Sequence, residues 1–220
     1  ASIQPGPVRY VINTHWHWDH TDGNGWLRAA GATILADRNI AKRLSETIRV
    51  VEWEHTFTPI PESQLPNLLI DGQCVLPFNG EDIVIGAYAN AHTDGDLFVY
   101  FPKADVLQTG DIFWNGYFPF IDYETGGSID GTLRSVEETL NRVSDHAQIV
   151  PGHGPVGNRA DLLAFRNMLI DVRARVAALK RQGKSLADTI AARPTADYDQ
   201  KWGTGVIGPE LFTALVYRGV

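Results

Sequence analysis

A layered α/β fold is what this sequence predicts, and three observations predict it. Short β-branched and apolar runs alternate with helical patterns in a β-α-β-α rhythm over the first part of the chain. Side chains able to hold a metal stand directly after several of those runs, at the sheet edge where α/β folds gather ligands. Beyond Gly154 the pattern changes to a long amphipathic helix followed by shorter ones. At 220 residues the chain can bury a full core, so residues 1–220 are read as a single domain with 158–220 a helical segment packed on it.

Residues 8–13, V-R-Y-V-I-N, are β-branched and aromatic enough to be a strand, and they run straight into T-H-W-H-W-D-H-T-D-G-N. If the backbone stays extended there, His15, His17 and Asp19 point to one side. His20 then swings in through a bend favoured by Thr21, Asp22, Gly23 and Asn24. A short helix over 24–30 ends at Gly31, 33–36 is a buried strand, and Asp37 caps a helix reaching about Arg49. Residues 50–69 carry Pro59, Pro61 and Pro66 among glutamates and read as an exposed loop long enough to cover something, with His55 a solvated histidine inside it.

A strand at 74–77, a tight Asn79-Gly80 turn and a strand at 83–87 make a hairpin in which Cys74 is a small buried apolar residue. Further strands are expected at 97–101, 106–108 and 148–150. A helix over 130–143 leaves His146 at the surface near its end. Over 159–182, Leu162, Phe165, Leu169, Val172, Val176 and Leu179 recur at helical spacing and form a core-facing stripe. Ser185 caps a shorter helix stopped by Pro194, and 209–217 is the last helix.

The chemistry concentrates in four places. His15, His17, Asp19 and His20 fall within six residues, and no packed core gathers such costly polar groups without a reason. His92 in A-H-T-D-G-D, Asp111 in T-G-D and His153 in P-G-H-G each follow the end of an apolar strand. Neutral imidazole and carboxylate are what zinc prefers, but these donors are too many for one four-coordinate ion. Two cations would employ them all, sharing a carboxylate and activating a water to hydroxide, which predicts metal-assisted hydrolysis.

The formal net charge of -7 and the lack of any basic run argue against a nucleic-acid or anionic-membrane partner and point to a small-molecule substrate. Cys74 is the only cysteine, so an intramolecular disulfide and thiolate zinc sites are excluded, while cytoplasm and periplasm both stay open. No apolar run reaches the roughly 18 residues of a membrane span, and A-S-I-Q-P-G-P lacks the regions of a signal peptide.

H-W-H-W-D-H, A-H-T-D-G-D, T-G-D and P-G-H-G, in this order, resemble the metallo-β-lactamase superfamily of metal-dependent hydrolases. The resemblance implies an αββα sandwich. It implies that His15, His17 and His92 hold one ion, that Asp19, His20 and His153 hold the other, and that Asp111 bridges them. The implied cofactors are two Zn2+, with iron or manganese as alternatives, and the implied catalytic carboxylates are Asp19 and Asp111. Members of the family usually carry further strands before the first motif. One sheet is therefore expected to lack its N-terminal strands and to leave an edge that a second copy of the chain, or residues ahead of Ala1, would cover.

True zinc β-lactamases generally have another residue type at the place of Asp111, so the likeness is closer to the thioester hydrolases, lactonases and phosphodiesterases of the superfamily. The expected activity is dinuclear zinc hydrolysis of an ester, lactone, thioester or related bond. Its rivals are a persulfide dioxygenase-like oxidoreductase with one iron on His15, His92 and Asp111, a zinc β-lactamase, and a non-catalytic metal-binding protein. Trp114, Tyr117, Phe118 and Phe120 either grip an apolar acyl or aryl group or simply pack the core. Gly126-Gly127-Ser128 is read as a flexible loop, and Trp16 and Trp18 as packing behind the ligands.

Overall fold

The computed structural model describes residues 6–220. Its first strand, β1 (Tyr10–Ile12), leads into a one-turn helix, α1 (Trp18–Thr21), then α2 (Asn24–Ala29), β2 (Thr33–Asp37) and α3 (Arg38–Leu44). Asp37 caps α3 as its pattern predicts, its carboxylate accepting from the Asn39 amide. The helix stops at Leu44 rather than near Arg49, because Ile48, Arg49 and Val50 form a strand instead. That strand, β3 (Ile48–Val50), pairs antiparallel with β4 (His55–Phe57). The stretch expected as exposed loop thus begins with a small hairpin, turned by a 3-10 segment at Val51–Trp53 and by Glu54 at φ 49°.

β5 (Leu68–Ile70) completes a parallel three-stranded sheet in the order β1-β2-β5. The second sheet begins with β6 (Cys74–Phe78) and β7 (Glu81–Ala87), joined by Asn79 and Gly80 at φ 52° and 78°, the positive pair that a two-residue hairpin turn requires. Cys74 is half-buried on this outermost strand rather than in the core. β8 (Leu97–Phe101), β9 (Val106–Gln108), helix α4 (Ile129–Arg142), β10 (Gln148–Val150) and β11 (Gly157–Asn158) follow, giving the order β11-β10-β9-β8-β7-β6. The chain then ends in helices α5 (Arg159–Arg181), α6 (Leu186–Ala191), α7 (Asp199–Trp202) and α8 (Pro209–Gly219).

Helices α2 and α3 lie on the small sheet, and α5 packs against β10, β11, α4 and α8. One continuous core joins these layers, from Leu35 and Ala36 through Ile85, Leu97 and Leu107 to Phe165 and Phe212. Phe165 has no solvent exposure, and removing a ring so placed costs about 3–5 kcal/mol. The helix at α5 is held at its start by a capping box of Asn158 and Asp161, and α6 by one of Ser185 and Asp188. Among the described residues no helix is long and apolar enough to cross a membrane.

Candidate metal centre

The structure brings all seven sequence-predicted donors together. His15, His17, His92 and Asp111 form one group and Asp19, His20 and His153 a second; within each, the ligand atoms lie within 4.8 Å of one another. Asp111 stands between them, with one carboxylate oxygen 3.5 Å from His92 Nε2 and 3.3 Å from His153 Nε2, and the other 3.3 Å from His20 Nε2. Asp19 is 3.2 Å from His20 and 3.3 Å from His153.

The local backbone differs from the extended run expected of it. The chain turns helical at Trp18, so Asp19 and His20 sit on α1 and not in line with β1. Thr21 fixes this turn, its hydroxyl donating to the carbonyls of Trp16 and His17. Trp18 is therefore half-exposed at the front of the site, while Trp16 is buried behind it as expected. Asp111 is presented by a tight turn in which Gly110 has φ 55°. Gly152 lies so close to Asp111 that a β-carbon there would stand 1.9 Å from its Oδ1.

Proton positions follow from the partners of each ring. His17 Nε2 is 3.0 Å from Asp122 Oδ2, and an ionised carboxylate can only accept, so this nitrogen carries the proton. Burial would raise the Asp122 pKa, but His17 and the Thr125 hydroxyl outweigh it and hold the carboxyl below its usual range. His92 Nδ1 donates to the Phe120 carbonyl at 2.9 Å. The remaining nitrogens, His17 Nδ1 and His92 Nε2, then face each other as lone pairs 2.9 Å apart. Two acceptors repel at that distance unless a cation lies between them.

His15 Nε2 is likewise buried without a hydrogen-bond partner, and His20 Nε2 and Asp111 Oδ1, 3.3 Å apart, meet out of line for a hydrogen bond. Orphaned buried donors and acceptors of this kind are expensive, and here they converge. The imidazole and carboxylate donor set fits a divalent cation such as zinc, with His15, His17, His92 and Asp111 able to hold one and Asp19, His20 and His153 able to hold another.

Electrostatics divide the two groups. Burial holds the His15 and His92 pKa values down, so these rings are neutral. Burial also opposes protonation of His20, yet Asp111 and Asp19 outweigh it and push its pKa up to about 10. The same two carboxylates raise His153 to about 9. Burial alone would raise Asp111, but the surrounding imidazoles hold it well below the carboxylate range, and His153 and His20 do the same for Asp19. Free of metal, the second group is a protonated network.

The family model described as the Metallo-beta-lactamase superfamily matches residues 1–153. The chain belongs to the metallo-beta-lactamase superfamily. Its fold is that of the superfamily, and its His and Asp cluster provides a potential metal site within it. Among relatives, the "Probable metallo-hydrolase YqgX" of Bacillus subtilis (strain 168) is 26% identical over 156 residues, 66% of this chain and 68% of that protein. A metallo-beta-lactamase from Pontibacter korlensis superposes with a TM-score of 0.59 at 17% identity, covering 75% of this chain and 70% of its own. A double mutant of the sec-alkyl sulfatase PisA1 superposes with a TM-score of 0.66 at 16% identity over 97% of this chain and 41% of its own.

Several side chains that support the two donor groups were not legible in the sequence. Asp122 is the clearest: besides His17 it accepts from the Glu124 and Thr125 amides and from Thr125 Oγ1 at 2.6 Å, while Trp16 Nε1 donates to that hydroxyl at 3.1 Å. The only sequence signal was the Asp-x-x-Thr-Gly turn pattern. The loop after it is not loose, for Gly127 is pressed against the His92 and Asp122 carbonyls and Ser128 caps α4. Phe118 and Phe120 are buried, Phe118 stacked on Phe212, whereas Trp114 lies over His153 with ring centroids 4.1 Å apart and lines the cleft. His55 also lines the cleft, outside both donor groups, and His146 is exposed.

Proposed function

We propose that the chain is a dinuclear zinc hydrolase acting on an ester, lactone, thioester or related bond. The observation that carries this reading is the pair of donor groups meeting at Asp111, with the lone pairs of His17 Nδ1 and His92 Nε2 facing each other and His15 Nε2 unpartnered beside them. Two divalent cations held there would supply Lewis acidity for a carbonyl oxygen and bring the pKa of water toward about 7.

The chain's own residues do the rest. Asp122 and the Phe120 carbonyl keep the protons of His17 and His92 on the outer nitrogens, so that the inner lone pairs are free to bind. Asp111, 3% exposed, is fixed by packing against Gly152 and stands as the shared carboxylate. The Asp19 side chain is 30% exposed, belongs to the more open donor group and borders the cleft, and so is placed to accept a proton from water or pass one to a leaving group. The cleft has a volume near 800 Å³, ample for a small-molecule substrate.

A fold shared with lactamases and a sulfatase does not choose among substrates. The test is elemental analysis of the purified protein together with a panel of ester, lactone, thioester, β-lactam and phosphodiester substrates. About two zinc per chain and zinc-dependent hydrolysis of an acyl substrate are expected. One iron per chain with oxygen uptake, or bound metal without turnover, would overturn the reading.

A further inference from the structure

Beside the donor groups the cleft is walled by Trp18, Trp53, Phe57, Trp114, Val206 and Ile207. These come from four separate parts of the chain: α1, the β3–β4 hairpin, the segment after Asp111, and the loop between α7 and α8. They are not all core residues that happen to be visible. Trp18 is 50% exposed and Val206 84% exposed, the latter the highest value among the large apolar side chains of the described residues. Trp53 is supported from behind by Phe120 at 4.6 Å and Phe57 by Trp16 at 5.2 Å, so the wall is braced as well as apolar.

The charges around this wall are one-sided. Histidines apart, no basic side chain among the described residues lines the cleft, while Asp19, Asp22 and Asp111 do. Of the cations on neighbouring elements, Arg43 is paired with Asp94 and Glu46 and Arg218 with Glu52 and Glu124, Arg49 reaches only the Thr56 hydroxyl and Lys201 lies over Trp202, and none of the four lines the cleft. An anionic group on a substrate, placed away from the metal centre, would lose water and gain no partner.

We infer that the substrate's part remote from the scissile bond is an uncharged apolar acyl or aryl group held against these aromatic walls. This rests on the hydrolase reading and narrows it. Neutral esters and lactones fit, whereas thioesters of carriers bearing phosphates or free carboxylates do not.

The experiment compares two ladders of p-nitrophenyl esters on the metal-loaded protein, one of plain alkanoates of increasing length and one of the same chains ending in a carboxylate. For the neutral ladder kcat/KM is expected to rise roughly fourfold per methylene until the cleft is filled. The carboxylated ladder should fall below it by about tenfold or more, and Val206→Lys should narrow that difference. In parallel, uncharged N-alkyl amides, which resist hydrolysis, are titrated into metal-stripped protein and followed by tryptophan fluorescence. Their Kd should tighten with chain length in the native protein and much less in Trp53→Ala. Hydrolysis with a flat length dependence, or with the carboxylated ladder preferred, overturns this inference and leaves the hydrolase reading standing. No ester turnover with length-dependent amide binding does the reverse.

Discussion

Asp122 lies 105 residues beyond His17 in the chain, and its carboxylate is 3.0 Å from His17 Nε2. The contact decides which nitrogen of His17 faces the candidate metal centre. It is itself held by Thr125, whose hydroxyl donates to Asp122 and accepts from Trp16, so a relay runs from a buried indole to the ligand ring. Supports of this kind typically contribute 10- to 100-fold in metal affinity.

Asp122→Asn should therefore weaken metal binding by about 10- to 100-fold while leaving the number of ions bound at saturation unchanged. Thr125→Val, which removes the middle of the relay, should weaken it less. Competition titrations against a chromophoric chelator report both values, and wild-type affinity in Asp122→Asn would mean that the His17 contact is ornamental.

Gly152→Ala places a methyl group 1.9 Å from Asp111 Oδ1, and the carboxylate must move. Metal affinity is expected to fall by a factor of ten or more, a loss of about 1.4 kcal/mol or greater, because Asp111 serves both donor groups. Circular dichroism should still show a folded chain. Unchanged metal binding would show that the turn at Gly110 has more room than its geometry suggests.

Loading the protein with metal should release protons. His20 and His153, raised to about 10 and about 9, are protonated in the metal-free chain at neutral pH and must give up those protons to bind. Calorimetry in buffers of different ionisation enthalpy should report about two protons released per loaded chain, with affinity falling as the pH falls. A proton count near zero would contradict this.

Stability of the metal-free chain follows from the same groups. His20 and His153, raised above the ordinary histidine value of about 6.5, add stability that is full below it and lost as the pH climbs through about 9 to 10. His15 and His92, with lowered values, cost stability as the pH drops below 6.5, and the depressed Asp19 and Asp111 add a contribution that disappears at still lower pH. The metal-free Tm should peak near pH 6.5 and decline on the alkaline side, and saturating zinc should remove that decline. A metal-free Tm that rises toward pH 10 would be inconsistent with the protonated network.

The clustering of the seven imidazoles and carboxylates was legible in the sequence because such groups are costly to bury and so stand out wherever they gather. Asp122 could not, since one aspartate in a turn has many uses and its partner is remote in the chain. The β3–β4 hairpin was hidden by the prolines that follow it and by a turn made with Glu54, a residue that gives no sign of adopting positive φ. Trp18 was misplaced because strand alternation was carried past Ile12, where the chain gives it up for a helical turn. The long helices were plain, as their apolar spacing is set locally and needs no knowledge of what they pack against.

The most direct test of the central claim is the metal stoichiometry of stripped and reloaded protein, read by calorimetry and confirmed by elemental analysis. The buried group around His15, His17 and His92 should fill first and the more exposed group second, giving about two zinc per chain, and Asp111→Ala should disturb both steps. A single binding step of one ion per chain, unaffected by Asp111→Ala, would contradict the account.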